Sequence, residues 1–440
     1  MKKIITILLV IFLLLTTFSV ASSESTIKTT EYSKTSLPES NLIENVPYVG
    51  QYDNFHCAFA TKTMIINYFQ KNTTLEEIIY LMGNAYSLYL SKISQSRIPT
   101  PGVFLSQAPI DSEFIAELFG LSFDYSFEGN GISVKEEYWN SYWNKIKENL
   151  SQNIPLETSV SPFKLSSIQN LYDLNENIWN KLNGGHAVVI VGYNESNETV
   201  CYNDPATLLY GGEAYGTYAW MSIEKFKDAV ETTQGTKYLI YRFQNLTNKK
   251  NKSEMMQLAH LHNIEKMKGN KSVYGLEEID AAENCLLGIS ALKQLNDFYK
   301  KGFNNRTKTI IRYKLNGKLG LQYSLIKYMQ KILPNLFDNI PFDYYMFFQN
   351  TFDLISIEKT MTAEYLENQT ELDFIFEYNS HKLKQEAENW SKIADLYREF
   401  KDKGILMNPL KTIKTINEMQ ETVENIIKIE EDIIQGTLIE

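Results

Sequence analysis

Residues 184–205 read GGHAVVIVGYNESNETVCYNDP, and this stretch decides the fold predicted for the first half of the chain. Two short runs of β-branched and aromatic residues flank a polar turn at 194–198, which predicts a pair of strands. A hairpin through that turn returns Asp204 to the end of the pair at which His186 begins. A carboxylate there can accept an imidazole N–H and fix the tautomer of the ring. The alternative is that Asp204 only ends a strand in an ordinary turn.

The second candidate for chemistry is Cys57, which lies where a polar turn leads into an apolar pattern of helical spacing. The pattern predicts a helix over 57–69, with Asp53 or Asn54 as its cap. A thiol at the N-terminus of a helix is stabilised as the nucleophilic thiolate. Gln51 carries an amide that can stabilise an oxyanion beside the sulfur, together with the backbone N–H of Cys57. The alternative is that Cys57 is a small buried apolar side chain.

The patterns around these residues predict an α+β domain over residues 45–244. Helices are predicted at 57–69, 75–89, 110–118 and 136–150. Strands are predicted at 156–160, 186–193, 199–203, 215–221 and 237–243. Residues 91–131 are extra material between the first helix and the sheet, and they are expected to form a lid.

The chain resembles papain-fold cysteine peptidases in the order of four residues along the sequence, namely Gln51, Cys57, His186 and Asp204. The closest likeness is to the branch that contains the bacteriocin-processing (double-glycine leader) peptidases. The stretches that carry the resemblance are VPYVGQ at 46–51, GHAVVIVGY at 185–193, NDP at 203–205 and WMSIEKF at 220–226. The resemblance departs after the cysteine, where Ala58 and Phe59 replace the Gly-Pro or Gly-Ala of the family.

The resemblance implies a Cys-His-Asp triad that cleaves peptide or isopeptide bonds in a peptide or protein substrate. Cys57 would attack the carbonyl, His186 would transfer the proton, Asp204 would orient His186, and Gln51 would bind the oxyanion. No cofactor and no metal ion are implied.

Two other functions remain open at this point. His56-Cys57 and the residues 75–83 are also similar to the start of butirosin biosynthesis protein H, whose relatives transfer acyl groups to amines through the same chemistry. The export signal described below argues against that function, because carrier-protein thioesters are cytosolic. The third possibility is a catalytically silent binding module at the cell surface.

Beyond a polar linker at 245–253, the composition changes, and residues 254–440 predict an all-α helical domain of unknown role. Lys293–Lys331 is rich in basic and aromatic residues. This stretch is expected either to contact cell-wall polymer or lipid headgroups, or to pack against the acidic stretch Glu418–Asp432.

The N-terminus has the three-part pattern of a secretory signal over residues 1–21, followed by a flexible leader over 22–44. The protein is therefore expected to be secreted or extracytoplasmic, and it stays tethered to the membrane if the signal is not cleaved. The chain of 440 residues carries a net charge of −10. An acidic chain repels phosphate backbones, so nucleic acid is not expected as a partner.

Overall fold

The computed structural model describes residues 37–52, 56–69, 71–91, 100–103, 109–171, 184–210, 212–245, 250–274, 285–297, 299–300, 344–369, 374–402 and 409–436. The chain divides into two compact units. The first unit comprises Met1–Ile78 and Asp111–Lys250, and the second comprises Ile79–Ile110 and Asn251–Glu440. The expected domain at 45–244 therefore differs from the first unit, because residues 79–110 group with the C-terminal part.

An antiparallel sheet of seven strands forms the core of the first unit. Its strands are β1 (Ser40–Leu42), β4 (Leu121–Ser126), β5 (Leu156–Val160), β6 (His186–Asn194), β7 (Thr199–Asn203), β8 (Ala219–Ser222) and β9 (Ile240–Asn245). The order is β4-β9-β5-β6-β7-β8, and β1 adds to β6 beyond the end of β5. The central strand β6 is buried over its first eight residues, as expected for a strand with a partner on both edges.

The helices that pack against this sheet are α1 (Cys57–Tyr68), α4 (Glu136–Leu150), α5 (Ser166–Leu171) and α7 (Ile223–Thr232). Two further helices are α3 (Pro109–Leu118) and α6 (Glu213–Gly216). The first ten residues of α1 are all buried, including Lys62. The Lys62 ammonium lies 2.8 Å from a carboxylate oxygen of Glu157 on β5, so an internal ion pair joins α1 to the sheet.

Most of the predicted elements of the first unit are present, with shifts at their ends. Helix α2 (Leu75–Leu81) stops well before residue 89, and the strand predicted at 215–221 is shorter because residues 213–216 form α6. Residues 121–126 form the edge strand β4 and residues 109–118 form α3, so this part of the expected lid belongs to the core fold. The expected flexible leader also ends in a strand, since Ser40–Leu42 pairs with β6.

The second unit is mostly helical among the described residues. Its helices are α8 (Lys252–Lys268), a helical segment at 288–297, α9 (Tyr344–Glu367), α10 (Phe374–Asp402) and α11 (Pro409–Gly436). It is not purely α, however, because β10 (Cys285–Leu287) pairs with β2 (Leu88–Ser91), which pairs with β3 (Thr100–Val103).

Residues from the middle of the predicted peptidase domain are held in the second unit by buried polar contacts. The amide of Asn263 donates to the carbonyl of Tyr80 at 3.0 Å, and the ammonium of Lys266 donates to the carbonyl of Met82 at 2.6 Å. The local sequence of residues 79–91 carried no sign of this partner, because both contacts join positions more than 180 residues apart.

The basic stretch Lys293–Lys331 lies largely outside the described residues. The two lysines that the structure does place, Lys293 and Lys300, pair with Glu431 at 2.9 Å and Glu424 at 2.8 Å. These pairs favour the expectation that the stretch packs against Glu418–Asp432. The predicted signal segment and residues 22–36 of the leader also lie outside the described part. Among the residues that the structure describes, no helix is both long enough and apolar enough to cross a bilayer.

Candidate active site

Cys57 is the first residue of α1, as the sequence predicts. The N-cap position is taken by His56, whose side chain makes no cap hydrogen bond; Asp53 and Asn54, the predicted caps, lie outside the described residues. The backbone N–H of Ala187 donates a hydrogen bond to the sulfur. Cys57 is only 4% exposed, and its place at the N-terminus of the helix favours a negative charge on the sulfur.

His56 directly precedes Cys57, and its ring is packed among aromatic side chains. Its ring is fully buried and makes edge-to-face contacts with Phe59, at 5.9 Å between centroids, and with Tyr52, at 6.4 Å. His56 is therefore part of the aromatic packing around the start of α1.

His186 is the first residue of β6, opposite Val160 of β5. The backbone just before this strand lies close to the segment at Gly235, because a Cβ atom on Gly185 would lie 3.3 Å from the backbone nitrogen of Gly235. The His186 ring is 6% exposed and hydrogen-bonds the Cys57 sulfur. Its Nε2 lies 2.7 Å from Oδ1 of Asp204, which leaves Nδ1 for the sulfur.

Asp204 follows β7 directly, so the predicted hairpin does return it to the start of β6. The carboxylate is fully buried, and both of its oxygens are occupied. Oδ1 accepts from the ring of His186 and, at 2.9 Å, from the backbone N–H of Ala206. Oδ2 accepts from the hydroxyl of Ser167 at 2.6 Å. These bonds fix the direction of the carboxylate, and the carboxylate in turn fixes the ring.

The pKa values of the three groups shift in the directions that an ion pair requires. Burial alone lowers the pKa of His186, but Asp204 and the Cys57 sulfur raise it to about 10. Burial raises the pKa of the Cys57 thiol, yet His186 and the N–H of Ala187 bring it below its ordinary value. Burial raises the pKa of Asp204, but His186, Ser167 and Ala206 hold it below its usual range. The arrangement thus favours a thiolate beside an imidazolium at neutral pH.

Gln51 is 2% exposed and is placed by its backbone, whose N–H donates to the carbonyl of Pro205 at 3.1 Å. The bond ties the segment before Cys57 to the turn that carries Asp204. The other thiol of this unit, Cys201, is free and buried on β7, and burial raises its pKa to about 12. Among the described residues, no cluster of three or more His, Cys, Asp or Glu side chains is arranged to hold a metal ion.

Three contributors to this site were not predicted from the sequence. They are the N–H of Ala187, the hydroxyl of Ser167 and the phenol of Tyr202, which donates to the Ser167 hydroxyl at 3.1 Å. Ala187 could have been found, because it directly follows the histidine on a predicted strand. Nothing in the local sequence marks Ser167, since a folded sheet is needed to bring it to Asp204.

The site therefore combines a thiol at the start of a helix with a histidine–aspartate pair at the ends of adjacent antiparallel strands. Residues 43–244 match the model of the Peptidase_C39 like family. The match supports a C39-type papain-like cysteine peptidase over this segment, which is somewhat less than half of the chain, and it suggests peptidase activity. No curated protein matches the chain.

Proposed function

We propose that this protein is an exported thiol hydrolase that cleaves peptide or isopeptide bonds through Cys57, His186 and Asp204. The observation that carries the proposal is the continuous hydrogen-bonded chain from the Cys57 sulfur through the His186 ring to the buried Asp204 carboxylate. Burying the Cys57 thiol and the Asp204 carboxylate costs folding free energy. A binding module gains nothing from the lowered thiol pKa that this burial supports, whereas a nucleophile requires it. Export rests on the secretory pattern of residues 1–21.

In the first half of the reaction Cys57 forms a bond to the acyl group and His186 donates a proton. In the second half that bond breaks and His186 accepts a proton. The Cys57 thiolate attacks the carbonyl carbon, and the new C–S bond places negative charge on the carbonyl oxygen. The Cys57 N–H and the Gln51 amide would donate to that oxygen. His186 then gives its proton to the leaving amine as the C–N bond breaks, which leaves a thioester on Cys57.

Water completes the cycle. His186, now neutral, takes a proton from the attacking water, and the thioester C–S bond breaks to release a carboxylic acid and the thiolate. Asp204 holds the imidazolium orientation in both half-reactions without itself being protonated. If an amine attacks in place of water, the same steps give acyl transfer, so the acceptor decides between the two activities.

Peptide products made in ¹⁸O-labelled water separate these functions. The purified full chain is incubated with a mixed peptide library and excess glycinamide, and new termini are read by mass spectrometry. We expect new C-terminal carboxylates that carry ¹⁸O. Products ending in glycinamide in excess of ¹⁸O-labelled acids would indicate a transferase instead.

Two cysteine variants provide the matched comparison. Cys57→Ala should abolish the labelled products, because the thiol that forms the thioester is lost. Cys201→Ala should retain them. Labelled products that persist in Cys57→Ala would overturn the proposal. The absence of Cys57-dependent products from every library pool would also overturn it, in favour of a silent module.

A further inference from the structure

Ser167 lies behind the Asp204 carboxylate, on the side away from His186. It is the second residue of α5, and it is 1% exposed. Its hydroxyl donates to Oδ2 of Asp204 at 2.6 Å, the usual length of a hydrogen bond from a hydroxyl to a carboxylate. Since Oδ1 is shared by His186 and Ala206, Ser167 is the partner that fixes the second oxygen.

Tyr202 fixes Ser167 in turn. The phenol of Tyr202, fully buried on β7, donates to the Ser167 hydroxyl at 3.1 Å and accepts from the Ser167 backbone N–H at 3.2 Å. The hydroxyl proton of Ser167 is thereby directed to Asp204. The result is a polarised chain that runs from Tyr202 through Ser167, Asp204 and His186 to the Cys57 sulfur.

We infer that Ser167 is a positioning residue for the cysteine–histidine pair: its hydroxyl locks the Asp204 carboxylate in the orientation that holds the His186 ring against Cys57. A buried carboxylate oxygen that loses its donor carries a large desolvation penalty. Without Ser167, Asp204 would therefore accept a proton at higher pH. A neutral Asp204 no longer supports the imidazolium, and the thiolate of Cys57 is lost with it.

The inference rests on the proposed use of Cys57 as a nucleophile, but its test does not require a substrate. Ser166 offers a matched control, because it is adjacent and also bears a hydroxyl. Its hydroxyl oxygen lies 3.0 Å from the Tyr202 phenol oxygen, and the hydroxyl donates to the carbonyl of Trp220 at 3.1 Å. A change at Ser166 alters the same short helix without removing the bond to Asp204.

The experiment measures the rate of Cys57 alkylation by iodoacetamide from pH 4 to 9 in the full chain, with the labelled site identified by peptide mass spectrometry. Ser167→Ala should move the acid limb of the rate profile upward by about one pH unit, which is what loss of a hydrogen bond to a charged group produces. Ser167→Thr should restore the midpoint, and Ser166→Ala should leave it in place.

Tyr202→Phe provides a second route to the same conclusion if Ser167→Ala folds poorly. It leaves Ser167 intact but removes the phenol that directs its proton, so we expect a smaller upward shift. A midpoint unchanged in both Ser167→Ala and Tyr202→Phe would overturn the inference, and so would an equal shift in Ser166→Ala. If the shift occurs but no peptide is cleaved, the positioning role stands and the proposed function fails.

Discussion

Lys62→Met should destabilise the first unit by about 3–5 kcal/mol, the usual cost of removing one partner of a buried ion pair. The Lys62 ammonium lies 2.8 Å from Oε1 and 3.1 Å from Oε2 of Glu157, and the two side chains are 0% and 6% exposed. At 2.8 Å and an effective dielectric constant of about 20, the Coulomb attraction is about 6 kcal/mol. Desolvation of two ions offsets most of that attraction, but a single substitution leaves the other ion buried without compensation.

The double variant Lys62→Met/Glu157→Leu should therefore lose much less stability than the sum of the two single variants. Cys201, which is fully buried on β7, offers a probe of this unit alone within the full chain. Pulsed labelling of Cys201 at increasing urea concentration, read by mass spectrometry, gives the free energy of unfolding for each variant. Lys135→Met is the control, because Lys135 and its partner Glu137 are largely exposed, and it should leave the urea midpoint almost unchanged.

Two results would refute this reasoning. One is a loss of less than about 1 kcal/mol in Lys62→Met, which would mean that the pair contributes no more than a surface pair. The other is additivity of the two single variants, which would mean that the two charges do not interact.

Two further predictions concern other parts of the molecule. Burial, together with Glu386, raises the pKa of Glu430 well above its usual range, so its ionisation opposes folding above about pH 4.5, by up to ~1.4 kcal/mol per pH unit. Glu430→Gln should therefore slow hydrogen exchange in peptides of α11 at pH 8 and have little effect at pH 4; equal effects at both pH values would contradict this. A Cβ atom at Gly216 would lie 2.4 Å from the backbone oxygen of Asp204. Gly216→Ala should therefore displace the turn that carries Asp204 and slow Cys57 alkylation at least about 10-fold. An unchanged rate would show that the turn is not rigid.

The parts of the fold that could be predicted are those encoded by neighbouring residues. The β6–β7 hairpin follows from two apolar runs around a polar turn, and it places Asp204 beside His186 through local geometry alone. The start of α1 at Cys57 follows from helical spacing in the same way. Both signals are local, and they place Asp204 beside His186 and Cys57 at the start of a helix. The contact between Cys57 and His186 joins distant parts of the chain, so it was expected only from the resemblance to papain-fold cysteine peptidases.

The parts that could not be predicted depend on partners far along the chain. Strand β4 pairs with β9 across more than 110 residues, and its own sequence reads equally well as a loop. Strand β1 has only three residues, too few to show the alternation of a strand. Ser167 reaches Asp204 only after β5, α5 and β7 have packed, so no spacing in the sequence could indicate it.

The most direct test of the account is the rate at which iodoacetamide alkylates Cys57 at pH 6 in the wild-type chain and in His186→Ala. Because a thiolate lies beside an imidazolium in this site, wild-type Cys57 should react at least about 10-fold faster than a free model thiol, which is almost wholly protonated at that pH. His186→Ala should remove the advantage, while buried Cys201 stays unlabelled in both chains. A Cys57 that reacts no faster than the model thiol, or at the same rate without His186, would contradict the account.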